Sequence, residues 1–173
     1  MGRDKALLEI EGKSMIERVA TSLATANLEP IRIAVALPED VEEYGSAIGL
    51  DLDIEWVLDS KTYAGPIDAI EEALLDPECE DGLLQLATVD YPWASSEMFL
   101  SLQERICEGD SLIMPHDGER GHPLLSLIRV KEVLKIIEGD RRPLRVQFAE
   151  ARHSLLIEDP GVLLNVNTPA DLE

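Results

Sequence analysis

Apolar residues recur along the chain with two periods, and each period predicts elements. Ile16, Val19, Ala20, Leu23 and Ala24 repeat every three or four positions behind Gly12-Lys13-Ser14, and Ser14 stands three residues before Glu17, the spacing of a capping box. This pattern predicts the clearest helix of the chain. Between Pro30 and Pro38, residues 31–37 alternate β-branched and small side chains, as a half-buried or buried strand does. A short helix over 41–48, a strand over 53–58, a loop over 59–65 and a helix opening on Pro66 follow, the last with Ile67, Ile70 and Leu74 on its inner face. Residues 83–89 are almost continuously apolar, which predicts a strand at the centre of a parallel sheet covered on both faces. Phe99, Leu102 and Ile106 mark another helix, and 111–114 a strand that stops at Pro115. Helices over 130–137, closed by Gly139, and over 144–151 precede a strand over 154–157. Thr168-Pro169 has the form of a helix start, with Thr168 as cap.

Strands separated by helical patterns predict right-handed crossovers and an α/β fold with a doubly wound, mostly parallel sheet. No repeat, low-complexity tract or linker divides the sequence, so residues 1–173 are expected to form a single domain. Ligands of such sheets bind beyond the carboxyl ends of the strands. Asp59, Asp90 and Asp117 occupy such positions.

Composition narrows the class. With 45% hydrophobic residues and only 10 prolines in 173 positions, the chain has material for an ordered core. No stretch approaches the roughly 18 apolar residues of a membrane span, and Met1-Gly2-Arg3-Asp4-Lys5 lacks the apolar core of a signal peptide, so a soluble, cytoplasmic protein is expected. A formal net charge of −20 disfavours nucleic acid and anionic membranes as partners, since phosphate contacts require clustered Lys and Arg. The acidic surplus fits either adaptation to salt or an ordinary solvated surface. Cys79 and Cys107 lack metal-ligand spacing and read as packing or surface thiols. Neither a Gly-x-Ser-x-Gly elbow nor a Walker A pattern occurs. The sequence leaves the oligomeric state open.

Four places could carry chemistry, and each has a plainer reading. Asp90, in Thr88-Val89-Asp90-Tyr91-Pro92-Trp93, follows the apolar run and either holds a hydrated magnesium ion together with substrate phosphates or merely starts a turn before Pro92. Arg3 and Lys5 flank Asp4 and could neutralise a triphosphate, or lie in solvent as charges near a chain end do. Asn165 and Asn167, two apart in an extended segment, share a face and could complete a metal or phosphate site, or Asn167 and Thr168 could cap a helix. His122, before Pro123, is either a ligand-binding residue or an exposed loop histidine.

Taken in order, these segments resemble the molybdenum cofactor guanylyltransferase family. Met1-Gly2-Arg3-Asp4-Lys5-Ala6-Leu7-Leu8 followed by Gly12-Lys13-Ser14-Met15-Ile16 is similar to the family's R-M-G-x-D-K-x-L-L segment and its G-K-P-L-I helix start. Asp59 with Gly65-Pro66-Ile67 resembles its aspartate before G-P-L, Asp90-Tyr91-Pro92-Trp93 its D-M-P-F, and Asn165-Val166-Asn167-Thr168-Pro169-Ala170-Asp171-Leu172 its terminal N-I-N-T-P-E-D-L. The resemblance implies a nucleotidyltransferase-like three-layer α/β sandwich. It also implies an Mg2+-dependent transferase that moves the guanylyl group of GTP, or the nucleotide of another nucleoside triphosphate, to a molybdopterin-type phosphorylated acceptor. Lys5 and Asp90 would then be catalytic. Arg3, Lys5, Asp59 and Gly65 would bind the nucleotide, Asp90 and Asn167 the metal, and Asn165, Asn167 and His122 the acceptor. A cytidylyltransferase, a transferase for another acceptor, or a catalytically silent nucleotide-binding module are the alternatives. The sequence starts just after the position of the family's first strand and its L-A-G-G-x-S-x-R loop, whose N–H groups hold the triphosphate, so the fold is expected without that strand and with unpaired backbone beside its place. Asp68-Ala69 stands where the family often has Ala-Gly, and His122 where it often has Gln, which leaves nucleotide and pterin specificity open.

Overall fold

Two compact units account for the chain: Met1–Asp59 with Thr88–Leu100 and Asp159–Glu173, and Ser60–Ala87 with Ser101–Glu158. The computed structural model describes residues 4–49, 51–59, 65–76, 79, 81–168 and 171.

In the first unit, β1 (Glu9–Ile10) and β2 (Lys13–Ser14) form a small antiparallel hairpin. Its two connecting residues, Glu11 and Gly12, both have positive φ, 53° and 80°, the backbone that a two-residue hairpin loop requires. Helix α1 (Met15–Thr25) follows at once: the Ser14 hydroxyl accepts the Glu17 N–H at 3.2 Å, and Met15, Ile16, Val19, Ala20 and Leu23 are buried along one face. Strand β3 (Ile31–Val35), helix α2 (Pro38–Ala47) and strand β4 (Ile54–Leu58) make a parallel crossover unit, in register from Ile31 opposite Ile54 to Val35 opposite Leu58. Helix α2 starts three residues before the predicted Val41 because Pro38 suits a first turn and the Asp40 carboxylate accepts the Leu37 N–H at 3.0 Å. Leu8, Met15 and Val166 form a core with Ile10 and Trp93 packed on it. That cluster brings together the beginning of the chain, the segment after Asp90 and the segment near its end.

The second unit contains α3 (Pro66–Leu75), β5 (Leu83–Gln85), the latter half of α4 (Ser96–Arg105), β6 (Leu112–His116), β7 (Leu127–Arg129), α5 (Val130–Ile137), α6 (Leu144–Glu150) and β8 (His153–Ile157). Its sheet has the order β5-β7-β6-β8; β6 and β8 are parallel, whereas β7 is antiparallel to both β5 and β6. The expected central parallel strand over 83–89 is therefore corrected to three residues, last in this sheet and antiparallel to its neighbour. Strand β7 escaped the sequence pattern because Leu127-Ile128-Arg129 runs without a break into the helical period of α5. Phe148, Ile128, Val133, Ile137 and Leu112 are fully buried at the centre of this core. Together the units make a nucleotidyltransferase-like α/β fold with mixed rather than wholly parallel sheets. Cys79 and Cys107 are free thiols. Among the described residues, no helix is long and apolar enough to cross a membrane.

Candidate active site

Lys5 opens a single 3-10 turn (Lys5–Leu7) that begins on Asp4, whose Oδ1 accepts the Ala6 N–H at 2.9 Å. Burial of Ala6 and Leu8 anchors this turn and leaves the lysine stem reaching outward. Lys5 Nζ meets Asp90 Oδ1 at 2.6 Å, with both side chains partly exposed. Asp90 lies in a tight turn in which the Tyr91 N–H donates to the Thr88 carbonyl, and its own carbonyl accepts the Val166 N–H at 2.8 Å. This last bond, with the full burial of Val166, fixes the extended strip on which Asn165 and Asn167 sit, the first half-buried and the second exposed. Asp90 is the third residue of the Thr88–Tyr91 turn rather than its start, the turn that holds Pro92 begins at Tyr91, and the Asp90 carboxylate faces a lysine.

Asp171 closes the arrangement. Its Oδ2 accepts the N–H groups of Asn167 at 2.8 Å and Thr168 at 2.7 Å and the Thr168 hydroxyl at 3.2 Å. The two backbone donors, with the Thr168 hydroxyl and the charge of Lys5 adding, hold this carboxyl below the usual carboxylate range. Thr168 thus donates to Asp171 through both its N–H and its hydroxyl, and the helix start expected at Pro169 lies outside the described residues. Arg18 braces the same region: its Nε donates to the Pro92 carbonyl at 3.1 Å, and its Nη1 lies 3.3 Å from Glu11 Oε2. Nothing in the sequence singled out Arg18, which occupies an ordinary polar position on α1.

The structure thus gathers Lys5, Asp90, Asn165 and Asn167 in the first unit, and adds Asp171 and Arg18. Asp59 also belongs to that unit, half-buried just past β4, its N–H donating to the Val35 carbonyl at 2.9 Å. Arg3 lies outside the described residues. Gly65 and His122 belong to the second unit. Gly65, exposed with φ 105°, precedes Pro66 at the start of α3.

His122 is not the exposed loop residue of the plainer expectation: it is 1% exposed, with Nε2 at 3.0 Å from Asp117 Oδ2. Its N–H donates to the Pro115 carbonyl at 2.8 Å, which folds residues 117–121 back over the end of β6 and carries the imidazole inward. Asp117 Oδ1 accepts the Glu119 and Arg120 N–H groups at 2.9 and 2.8 Å. These bonds, and then the imidazole, hold its carboxyl well below the usual range. The second unit also has a cavity of about 570 Å³ with Met114, His116, Arg120, Arg145, His153 and Leu155 in its wall. None of the residues singled out in the sequence lines it.

The α/β fold, with Lys5 against Asp90 in its first unit, belongs to a class of nucleotidyltransferase-like proteins, as the family match shows. The sequence pattern of the MobA-like NTP transferase domain matches residues 1–154, and the chain belongs to that family. It is 25% identical over 177 residues to the molybdenum cofactor guanylyltransferase of Photobacterium profundum, covering 99% of this chain and 86% of that protein. With the probable molybdenum cofactor guanylyltransferase of Pelotomaculum thermopropionicum it shares 30% identity over 184 residues, covering 99% and 83%. In fold it is similar to the crystal structure of molybdopterin-guanine dinucleotide biosynthesis protein A from Archaeoglobus fulgidus, with a TM-score of 0.70, 21% identity, and 99% and 88% of the two chains covered.

Proposed function

We propose that the chain transfers a guanylyl group from GTP to the phosphate of a molybdopterin-type cofactor, with a magnesium ion held at Asp90. The observation that carries this reading is the 2.6 Å approach of Lys5 Nζ to Asp90 Oδ1 beside the Asn165–Asn167 strip. The relatives' names support the choice of nucleotide and acceptor.

The donor set suits magnesium. Among the described residues no cluster of three or more His, Cys, Asp or Glu is placed to hold a metal. Magnesium does not require one, since it keeps several waters and binds through one or two carboxylates plus substrate phosphates. Asp90, with an amide oxygen from Asn167, is a fitting protein share. Held by Asp90 and Asn167, such an ion would supply positive charge to offset that of the triphosphate and the leaving pyrophosphate.

In the reaction, an oxygen of the acceptor phosphate attacks the α-phosphorus of GTP. A new P–O bond forms, the bond from the α-phosphorus to the bridging oxygen breaks, and pyrophosphate departs with that electron pair. The attacking oxygen is already anionic, so the protein's task is to position two anions and offset their repulsion rather than to remove a proton. Lys5, beside Asp90, would direct its ammonium to the triphosphate and offset its charge. The Asp171 carboxylate holds the Asn167 backbone in place through its N–H, which fixes the point from which the amide reaches the ligand. Lys5 and Asp90 are the catalytic residues of this scheme. Arg3 and Asp59 are assigned to the nucleotide and Asn165 and Asn167 to the acceptor; His122, buried against Asp117, is given no part in binding.

Incubation with GTP, Mg2+ and molybdopterin, followed by chromatography, tests it. A guanine dinucleotide of the cofactor, formed in step with pyrophosphate, is the expected product. Product from CTP in preference to GTP would replace the nucleotide assignment, and nucleotide binding without any pyrophosphate release would overturn the reading.

A further inference from the structure

Strand β8 ends the four-stranded sheet, and its outer side pairs with no other strand among the described residues. In an extended chain the N–H and C=O of one residue point to the same side, and successive residues alternate. The Arg152 carbonyl accepts the Ser111 N–H at 2.8 Å and the Glu158 N–H donates to the His116 carbonyl at 3.0 Å, so the even-numbered residues of this stretch turn toward β6. His153, Leu155 and Ile157 therefore direct their backbone groups away from the sheet. They also carry its most exposed apolar surface, with Leu155 45% and Ile157 68% exposed. Natural edge strands are normally blunted by an inward charge, a proline or a bulge. Residues 153–157 contain none of these, and β8 pairs without a bulge along its whole length.

We infer that this edge is the interface for a second copy of the chain, added antiparallel about a two-fold axis through Leu155. Antiparallel pairing centred there sets Leu155 opposite Leu155 of the other copy and His153 opposite Ile157. Each of these pairs exchanges both of its hydrogen bonds, because both members point outward. The same register sets Arg152 opposite Glu158 at each end. A strand that carries a cation three residues before its centre and an anion three residues after it is complementary to itself only when reversed. This is the isologous arrangement of a closed dimer rather than of a growing fibre. Arg152 is 73% exposed in its side chain and only loosely held by Asp110 at 3.7 Å, so it is available to such a mate. A partner with a different sequence would share the backbone bonds but not this charge order. With −20 on each copy, long-range repulsion opposes association, and added salt should strengthen it until the Arg152–Glu158 contacts are themselves screened.

Light scattering after size exclusion, at low salt and in about 0.5 M sodium chloride, reads the mass directly. The expected result is a concentration-dependent dimer, more populated at the higher salt. Ile157→Lys should be monomeric under the same conditions and, because its side chain is in solvent, should match the parent's unfolding temperature at protein concentrations too low to populate the dimer. Glu158→Arg should weaken the dimer, and adding Arg152→Glu to it should restore it. Hydrogen-bonded antiparallel partners lie about 5.5 Å apart at Cα, within the range a disulfide spans. Leu155→Cys should accordingly cross-link to its mate on mild oxidation, far faster than Leu75→Cys, a more exposed control on α3. A protein that stays monomeric in every condition, a dimer indifferent to Ile157→Lys, or cross-linking no faster than the Leu75→Cys control would overturn the inference.

Discussion

An ammonium and a carboxylate placed 2.6 Å apart at a partly exposed site gain little from each other in water, where such a pair contributes about 0–1 kcal/mol. The pair can therefore be broken at little cost to stability, which lets the proposed site be tested apart from the fold. Asp90→Ala is expected to leave the unfolding free energy within about 1 kcal/mol of the parent and to lower transfer activity at least about 100-fold. Thermal melts and product formation on the same sample check both, and a variant that fails to fold would return Asp90 to a purely structural role. Asp171 gives a second test through pH. Its folded carboxyl titrates below the unfolded value near 3.9. Its contribution is thus fully present above about pH 4 and is lost as pH falls through the lower folded value. The difference in melting temperature between the parent and Asp171→Ala should be flat from pH 7 to 5 and shrink below about 4. A difference that widens on acidification would mean that other groups hold the turn. The Lys5–Asp90 meeting was legible only through the ordered motifs, since no spacing rule joins residues so far apart. His122 was misjudged because its burial depends on the loop folding back from Pro115, a contact that local pattern does not encode.

Elements were most readable where a helix carried its own start signal. Ser14 spaced from Glu17 predicted α1, and the hydroxyl does accept that N–H. Ser14→Ala should cost about 1 kcal/mol by denaturant titration, the usual worth of such a cap. A loss near zero would show that β2, which holds Ser14 in place, already fixes the helix start. Gly65 makes the complementary case at α3. Its φ of 105° and ψ of 169° fall in a region that is essentially glycine-only, while an added Cβ would meet no atom within 4 Å. Gly65→Ala should therefore cost about 1–3 kcal/mol through backbone strain alone, and Gly65→Ser the same, since size is not the limit. Strands were less readable than helices for a physical reason. A three-residue strand such as β7 is specified by its partners β5 and β6, not by its own sequence, so the parallel sheet inferred from alternating elements missed the reversed strand within it. The Glu11-Gly12 hairpin was overlooked likewise, its strands being two residues each.

At the scale of the whole chain, charge is the dominant feature. With 35 acidic and 15 basic residues, pairing every cation with one anion still leaves an excess of 20 carboxylates. Several cations are in fact shared, as Arg142 is between Asp140 and Glu150. Salt weakens attractive pairs and repulsive surroundings alike, and the sign of its effect depends on which is larger. Exposed pairs contribute at most about 1 kcal/mol each, whereas the surplus repels over the whole surface once the screening length reaches about 30 Å, as it does near 0.01 M. Repulsion wins on this count, and sodium chloride should stabilise the fold. Between about 0.01 and 0.5 M the melting temperature is expected to rise by at least about 2 °C, roughly a 1 kcal/mol gain for a chain of this size. Association through β8 would raise it too, by mass action. The Ile157→Lys variant separates the two, because it keeps the acidic surplus while removing the edge contact. A salt response that survives in that variant belongs to the monomer's own charge, and one that vanishes belongs to the dimer. A melting temperature that falls with salt in both proteins would mean that local ion pairs outweigh the surplus.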